Sequence, residues 1–199
     1  MQIRQWRPGP RAAAGLTWSG WAVFAVALLG YGWLYLASHD ENEPLRLQGS
    51  WGLLAGLFIQ SLLVVLVVAG HELIHLVGYR LAGGRARIRL QRDRFLTVVE
   101  PYQPSRVTRG RYLGIALAPL LILGVAAVAA VQAPTGGWWV VPAAVNVCLS
   151  VIDVATALVA CRLPAGSRVQ PTADGLSIEL PDPDEADEVG LIGGAAGGG

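Results

Sequence analysis

Four runs that carry almost no charge, at about 13–37, 50–78, 112–134 and 137–161, dominate the chain. Each is near the roughly 20 residues that a helix needs to cross a bilayer. A chain that is 53% hydrophobic and only 15% charged, with a mean hydropathy of +0.48, lies outside the usual range of soluble domains. The expected fold class is therefore an all-α membrane protein with about four transmembrane helices. The first run is expected to remain as a helix. Its apolar core is longer than a signal-peptide h-region, and no small-residue cleavage site precedes SHDENEP.

Orientation follows from arginine, since the chain has no lysine. Arg4, Arg7 and Arg11 precede the first run. Arg80, Arg85, Arg87, Arg89, Arg92, Arg94, Arg106, Arg109 and Arg111 lie between the second and third. The segment after the first run has Arg46 among Asp40, Glu41 and Glu43, and APTGG between the last two runs has no charge at all. The positive-inside rule then predicts a multi-pass protein of the cell membrane with both termini and the large middle loop in the cytoplasm. A net charge of +1 gives no general attraction for nucleic acid, so the expected partners are the lipid bilayer and a membrane protein or peptide substrate.

The organisation expected is a cytoplasmic segment 1–12, an integral membrane domain 13–161, a short cytoplasmic extended segment 162–181 and a disordered acidic, Gly-rich tail 182–199. Within the membrane domain the insert 79–111 contains RARIRLQ and FLTVVEPY around Arg92-Asp93-Arg94, which predicts a small cytoplasmic β-hairpin between helices two and three. Asp174-Gly175 marks a turn in the extended segment. Cys148 and Cys161 sit too far apart along one helix to bridge each other, so both are read as packing residues.

Chemistry concentrates in the second run, where VVLVVAGHELIHLVGYR places His71, Glu72 and His75 among apolar residues. Ionisable groups in such a segment cost several kcal/mol unless something compensates them, roughly 3 kcal/mol each on insertion scales. His71-Glu72-Leu73-Ile74-His75 is HExxH. Residues four apart stack one turn above each other on a helix, so both imidazoles can reach one zinc ion while Glu72 stands beside that face as a base. The competing reading is a pair of core histidines and a buried glutamate in mutual hydrogen bonds.

A catalytic zinc keeps three protein ligands and one open position. His39 falls in the segment expected outside the membrane, at the wrong depth. With helix two leaving the bilayer near Gly78, His71 lies about 10 Å and His75 about 5 Å from its cytoplasmic end, and Asp153 lies about 12 Å from the end of helix four near Cys161. Asp153 is the only acid in helix four, where Asn146, Ser150 and Asp153 form a polar stripe at i, i+4 and i+7. Glu100 and Glu179 remain alternatives for the third ligand, although each reads more simply as a solvated strand residue. Asn146 and Ser150 are candidate substrate-binding groups, with interhelical hydrogen bonds as the competing reading.

SLLVVLVVAGHELIHLVGYRLAGG, the basic insert, ALAPLLIL with Pro119, NVCLSVID and then LPAGSRVQPTADGLSIEL together resemble the putative zincin peptidases, integral-membrane relatives of the site-2 proteases. The resemblance covers roughly residues 50–180. It implies one Zn2+ held by His71, His75 and Asp153, with Glu72 as catalytic base. The site-2 protease pattern NPxxDG is absent around Asp153, and no PDZ-type domain accompanies the core. The expected function is a zinc metallopeptidase cleaving peptide bonds in or near the membrane at its cytoplasmic side, and the alternative is a metal-binding scaffold or sensor without proteolysis. A metal transporter would need a polar path across the bilayer, and the outer halves of helices two and four offer little beyond Gln60, Ser61 and Asn146.

Overall fold

The computed structural model of the chain describes residues 2–39, 49–84, 86–90, 97–101, 106–172 and 175–181. Its frame is four long helices: α1 (Pro10–Ser38), α2 (Gly49–Leu81), α3 (Arg109–Val131) and α4 (Val140–Cys161). All four are long and apolar enough to cross a membrane. α1 opens on a proline at its first position, where the missing N–H costs nothing. A short 3₁₀ turn, Gly136–Trp139, links α3 to α4.

Most of the helix surface that faces outward is apolar. Trp18, Trp33 and Leu36 on α1, Phe58 and Leu66 on α2, and Val125 on α3 are all exposed. That pattern suits hydrocarbon surroundings, where apolar side chains need no protein cover. The buried stripe of α4 is the opposite in kind: Ala143, Ala144, Asn146, Ser150, Ala157 and Ala160 are small or polar. Small side chains let helices approach closely. α4 is accordingly the element against which α1, α2 and α3 all pack.

Below one end of the bundle lies a four-stranded antiparallel sheet in the order β1 (Gln2–Trp6), β6 (Gly175–Leu180), β5 (Arg168–Thr172), β4 (Val107–Thr108). Its core residues Val107, Val169, Leu176 and Ile178 join Leu76 and Tyr79 of α2, Tyr112, Ile115 and Ala116 of α3, and Ala157 and Ala160 of α4 in one cluster. A separate pair, β2 (Ala86–Leu90) and β3 (Thr97–Pro101), is antiparallel and lies between α2 and β4 in the chain.

The four-stranded sheet adds to the expected frame of four helices. Within the N-terminal segment 1–12, for which no strand was expected, Gln2–Trp6 is an edge strand paired along its length with β6. The pairing brings the backbone of Trp6 so close to Gly175 that a Cβ there would lie 2.1 Å from the Trp6 carbonyl oxygen, and Gly175 also has a positive φ of 154°. Helix bounds shift too. α2 continues to Leu81 and α3 starts at Arg109, so part of the expected insert is helical. Of the two cysteines, Cys148 is half-buried and Cys161 is exposed, so the latter is not a packing residue. Asp40, Glu41, Glu43, Arg46, Asp93, Asp174 and the tail 182–199 lie outside the described residues.

Candidate metal centre

α2 presents His71, His75, Leu76 and Tyr79 inward while Leu73, Val77 and Leu81 face out, so the HExxH motif lies on the helix face that meets the bundle. His71 is 2% exposed. Across from it, α4 carries Asp153, half-buried, three residues after the buried Ser150. With α2 running to Leu81, His71 lies ten residues, or about 15 Å, before its end, deeper than the expected helix end implied.

The three side chains converge. His71 Nε2 lies 3.0 Å from Asp153 Oδ2, and His75 Nε2 lies 3.3 Å from Asp153 Oδ1. The two rings stand nearly perpendicular with centroids 5.0 Å apart. One ligand atom from each residue falls within 4.8 Å of the other two, which makes this a group able to hold a metal ion. Ligand atoms on one tetrahedral zinc lie roughly 3.3 Å apart, given bonds near 2.0–2.1 Å. The two nitrogen–oxygen spacings are of that size.

Hydrogen bonds on the far side of each ring define the donor set. His71 Nδ1 is 3.0 Å from Asn146 Oδ1, and His75 Nδ1 is 3.1 Å from the Ile115 carbonyl oxygen. Both partners accept, so both Nδ1 atoms donate, and in neutral rings each Nε2 is left with a lone pair. Two nitrogen lone pairs and a carboxylate then point into one small space. A divalent cation satisfies all three at once, and the outward Nδ1–H bond is the usual second partner of a metal-bound histidine. The residues present therefore fit zinc.

The other candidates fall elsewhere. Glu72 is half-buried immediately after His71. Asn146, 1% exposed, touches His71 directly, and its Nδ2 is buried without a hydrogen-bond partner. Ser150 donates its hydroxyl proton to the Asn146 carbonyl oxygen within α4, at 2.9 Å. Glu179 is not a solvated strand residue: it is 4% exposed on β6 and pairs with Arg106, far in role from the histidines. Glu100 lies in β3, and its side chain falls outside the described residues. His39 caps helix ends instead, with Nδ1 3.0 Å from the Tyr35 carbonyl oxygen and Nε2 2.9 Å from that of Ala133. The composition and spacing of the motif did not reveal Ile115, because a backbone carbonyl has no residue letter. Pro119, four residues later, is its one trace in the sequence.

A family model described as "putative zincin peptidase" matches residues 62–168, more than half of the chain, and includes all three converging side chains. The chain belongs to this family. Zincin peptidases are metallopeptidases that bind zinc, in keeping with the donor set of His71, His75 and Asp153. No curated protein and no solved structure matches the chain.

Proposed function

We propose that the chain is a zinc-dependent membrane metallopeptidase that hydrolyses peptide bonds in or near the bilayer at its cytoplasmic side, with His71, His75 and Asp153 as zinc ligands and Glu72 as catalytic base. The observation that carries this reading is the convergence of two histidine Nε2 atoms on the Asp153 carboxylate, with each Nδ1 facing an oxygen acceptor.

Bound zinc would polarise a peptide carbonyl and make water a better nucleophile near neutral pH. Glu72 then takes the proton of the attacking water and delivers it to the departing amine, as general base and then general acid. Asn146 holds His71 through Oδ1 and has an Nδ2 donor to spare, which suits it to a substrate carbonyl or a developing oxyanion. Ser150 contributes less directly, through its acceptor lone pairs, because its proton is used within α4. Water reaches such a depth only through a polar cavity, and Arg106, Arg109, Arg111 and Arg162 at the sheet end of the helices support access from the cytoplasmic side by the positive-inside rule.

Glu72→Gln separates this reading from a metal-binding scaffold or sensor. The variant should retain stoichiometric zinc and lose cleavage of membrane substrates by at least ~100-fold, judged by comparing membrane proteomes of cells with wild type and variant. Identical proteomes would contradict proteolysis and favour the scaffold.

A further inference from the structure

His75 is held by a backbone carbonyl that an ordinary helix would not offer. In α3 the Ile115 carbonyl oxygen should accept the N–H of residue 119, but residue 119 is proline and has no N–H. Ile115 is buried, at 6% exposure, so its carbonyl needs a partner from the protein. That partner is His75 Nδ1, at 3.1 Å across the α2–α3 contact.

The contact itself depends on a second residue. Gly78 stands one turn beyond His75 on α2, and a Cβ built there would lie 3.1 Å from Ile115 Cγ1 and 3.3 Å from Cγ2. Both distances are tighter than ordinary van der Waals contact. A methyl group at this position would press on a buried, β-branched side chain with few rotamers open to it, and so move the backbone that carries the carbonyl.

We propose that Pro119 and Gly78 are positioning residues for His75: the proline frees the Ile115 carbonyl, the glycine lets it come within reach, and the carbonyl fixes the Nδ1–H tautomer that aims Nε2 at Asp153. His71 is oriented in a different way, by the Asn146 side chain. The role of the pair in zinc binding rests on the metallopeptidase reading above, whereas its hold on the His75 tautomer does not.

The test uses the full chain, purified in nanodiscs, with zinc affinity read by competition against a chromophoric chelator and the His75 tautomer read by ¹⁵N-imidazole NMR of the zinc-free protein. Pro119→Ala restores a donor that competes for the Ile115 carbonyl, and should weaken zinc binding ~10–100-fold, as loss of outer partners of metal ligands does. Lactic acid at position 119, whose ester oxygen has no hydrogen, should restore the affinity. Gly78→Ala should show the same loss, and Gly78→Ala with Ile115→Ala, which makes room but keeps the carbonyl, should recover. Wild-type affinity in Pro119→Ala, or equal losses for alanine and lactic acid, would overturn the proposal. If wild type takes up no zinc, the metallopeptidase reading fails, and the NMR arm decides the rest. Nδ1–H in wild type with a shift toward Nε2–H in Pro119→Ala supports the positioning role, and the same tautomer in both removes it.

Discussion

His71 and His75 differ in what holds them, and the difference has consequences for mutation. The acceptor for His71 is a side chain that can be deleted, Asn146 Oδ1 at 3.0 Å, in a site 1% exposed. Asn146→Ala leaves the Nδ1–H of His71 buried without an acceptor, which costs about 1–3 kcal/mol and frees the ring to rotate. Zinc affinity should fall roughly 10–100-fold, measurable by the same chelator competition; unchanged affinity would show that the ring is fixed by packing alone. Much of this scale was legible in the sequence. HExxH spacing put both histidines on one helix face, and counting depth from the helix ends singled out Asp153, which the fold does bring to both rings. Asn146 was visible as a polar residue in an apolar run, but its hold on His71 depends on which faces of α2 and α4 meet. Glu179 misled because acidic residues on strands are commonly solvated, whereas here it is buried and paired with Arg106, a residue remote in sequence.

At the scale of elements, the sheet under the bundle ties distant parts of the chain to the helices that carry the site. β6 lies between β1 and β5, and the Arg106–Glu179 pair joins it to the segment leading into α3. Arg109 adds a bond from its backbone N–H to the Ser167 carbonyl oxygen at 3.0 Å, and one from its guanidinium to the Leu163 carbonyl oxygen. Removing one partner of a buried ion pair leaves the other charge uncompensated, at about 3–5 kcal/mol. Arg106 is partly open to solvent, so Arg106→Ala should sit at the lower end, about 3 kcal/mol, seen as a lowered thermal midpoint in detergent. Glu179→Gln, which keeps an acceptor, should cost less. β1 could not be read from QIRQW, since five mostly polar residues give no strand signal and the partner strand is at the other end of the chain. β5 and β6 fall where the sequence predicts a short extended or β segment with a turn at Asp174-Gly175. Their β-branched and alternating residues predict a strand, and the sheet they enter is set by contacts remote in sequence.

Across the whole molecule, β1 and β6 share one sheet, so residues 2–6 and 175–180 lie at the same end of the four helices. The arginines Arg106, Arg109, Arg111 and Arg162 lie at that end as well, and it is this end that the proposed function takes as cytoplasmic by the positive-inside rule. In a background of Cys148→Ser and Cys161→Ser, Thr135→Cys between α3 and the 3₁₀ turn should react with an impermeant maleimide on intact cells. Ala165→Cys, exposed after α4, should react only once the membrane is opened. The reverse pattern would invert the topology and move the site to the other face. Helix number and approximate bounds were legible because lipid-facing helices must be apolar along their length. The central position of α4 was less so, because its small residues gain meaning only from the neighbours they admit.

The central claim is that His71, His75 and Asp153 share one zinc ion. The most direct measurement is zinc per protein in the purified full chain, by elemental mass spectrometry, for wild type beside Asp153→Ala. One zinc per chain in wild type and near none in the variant is the predicted result. Undiminished stoichiometric zinc in Asp153→Ala, with the protein still folded, would contradict the assignment.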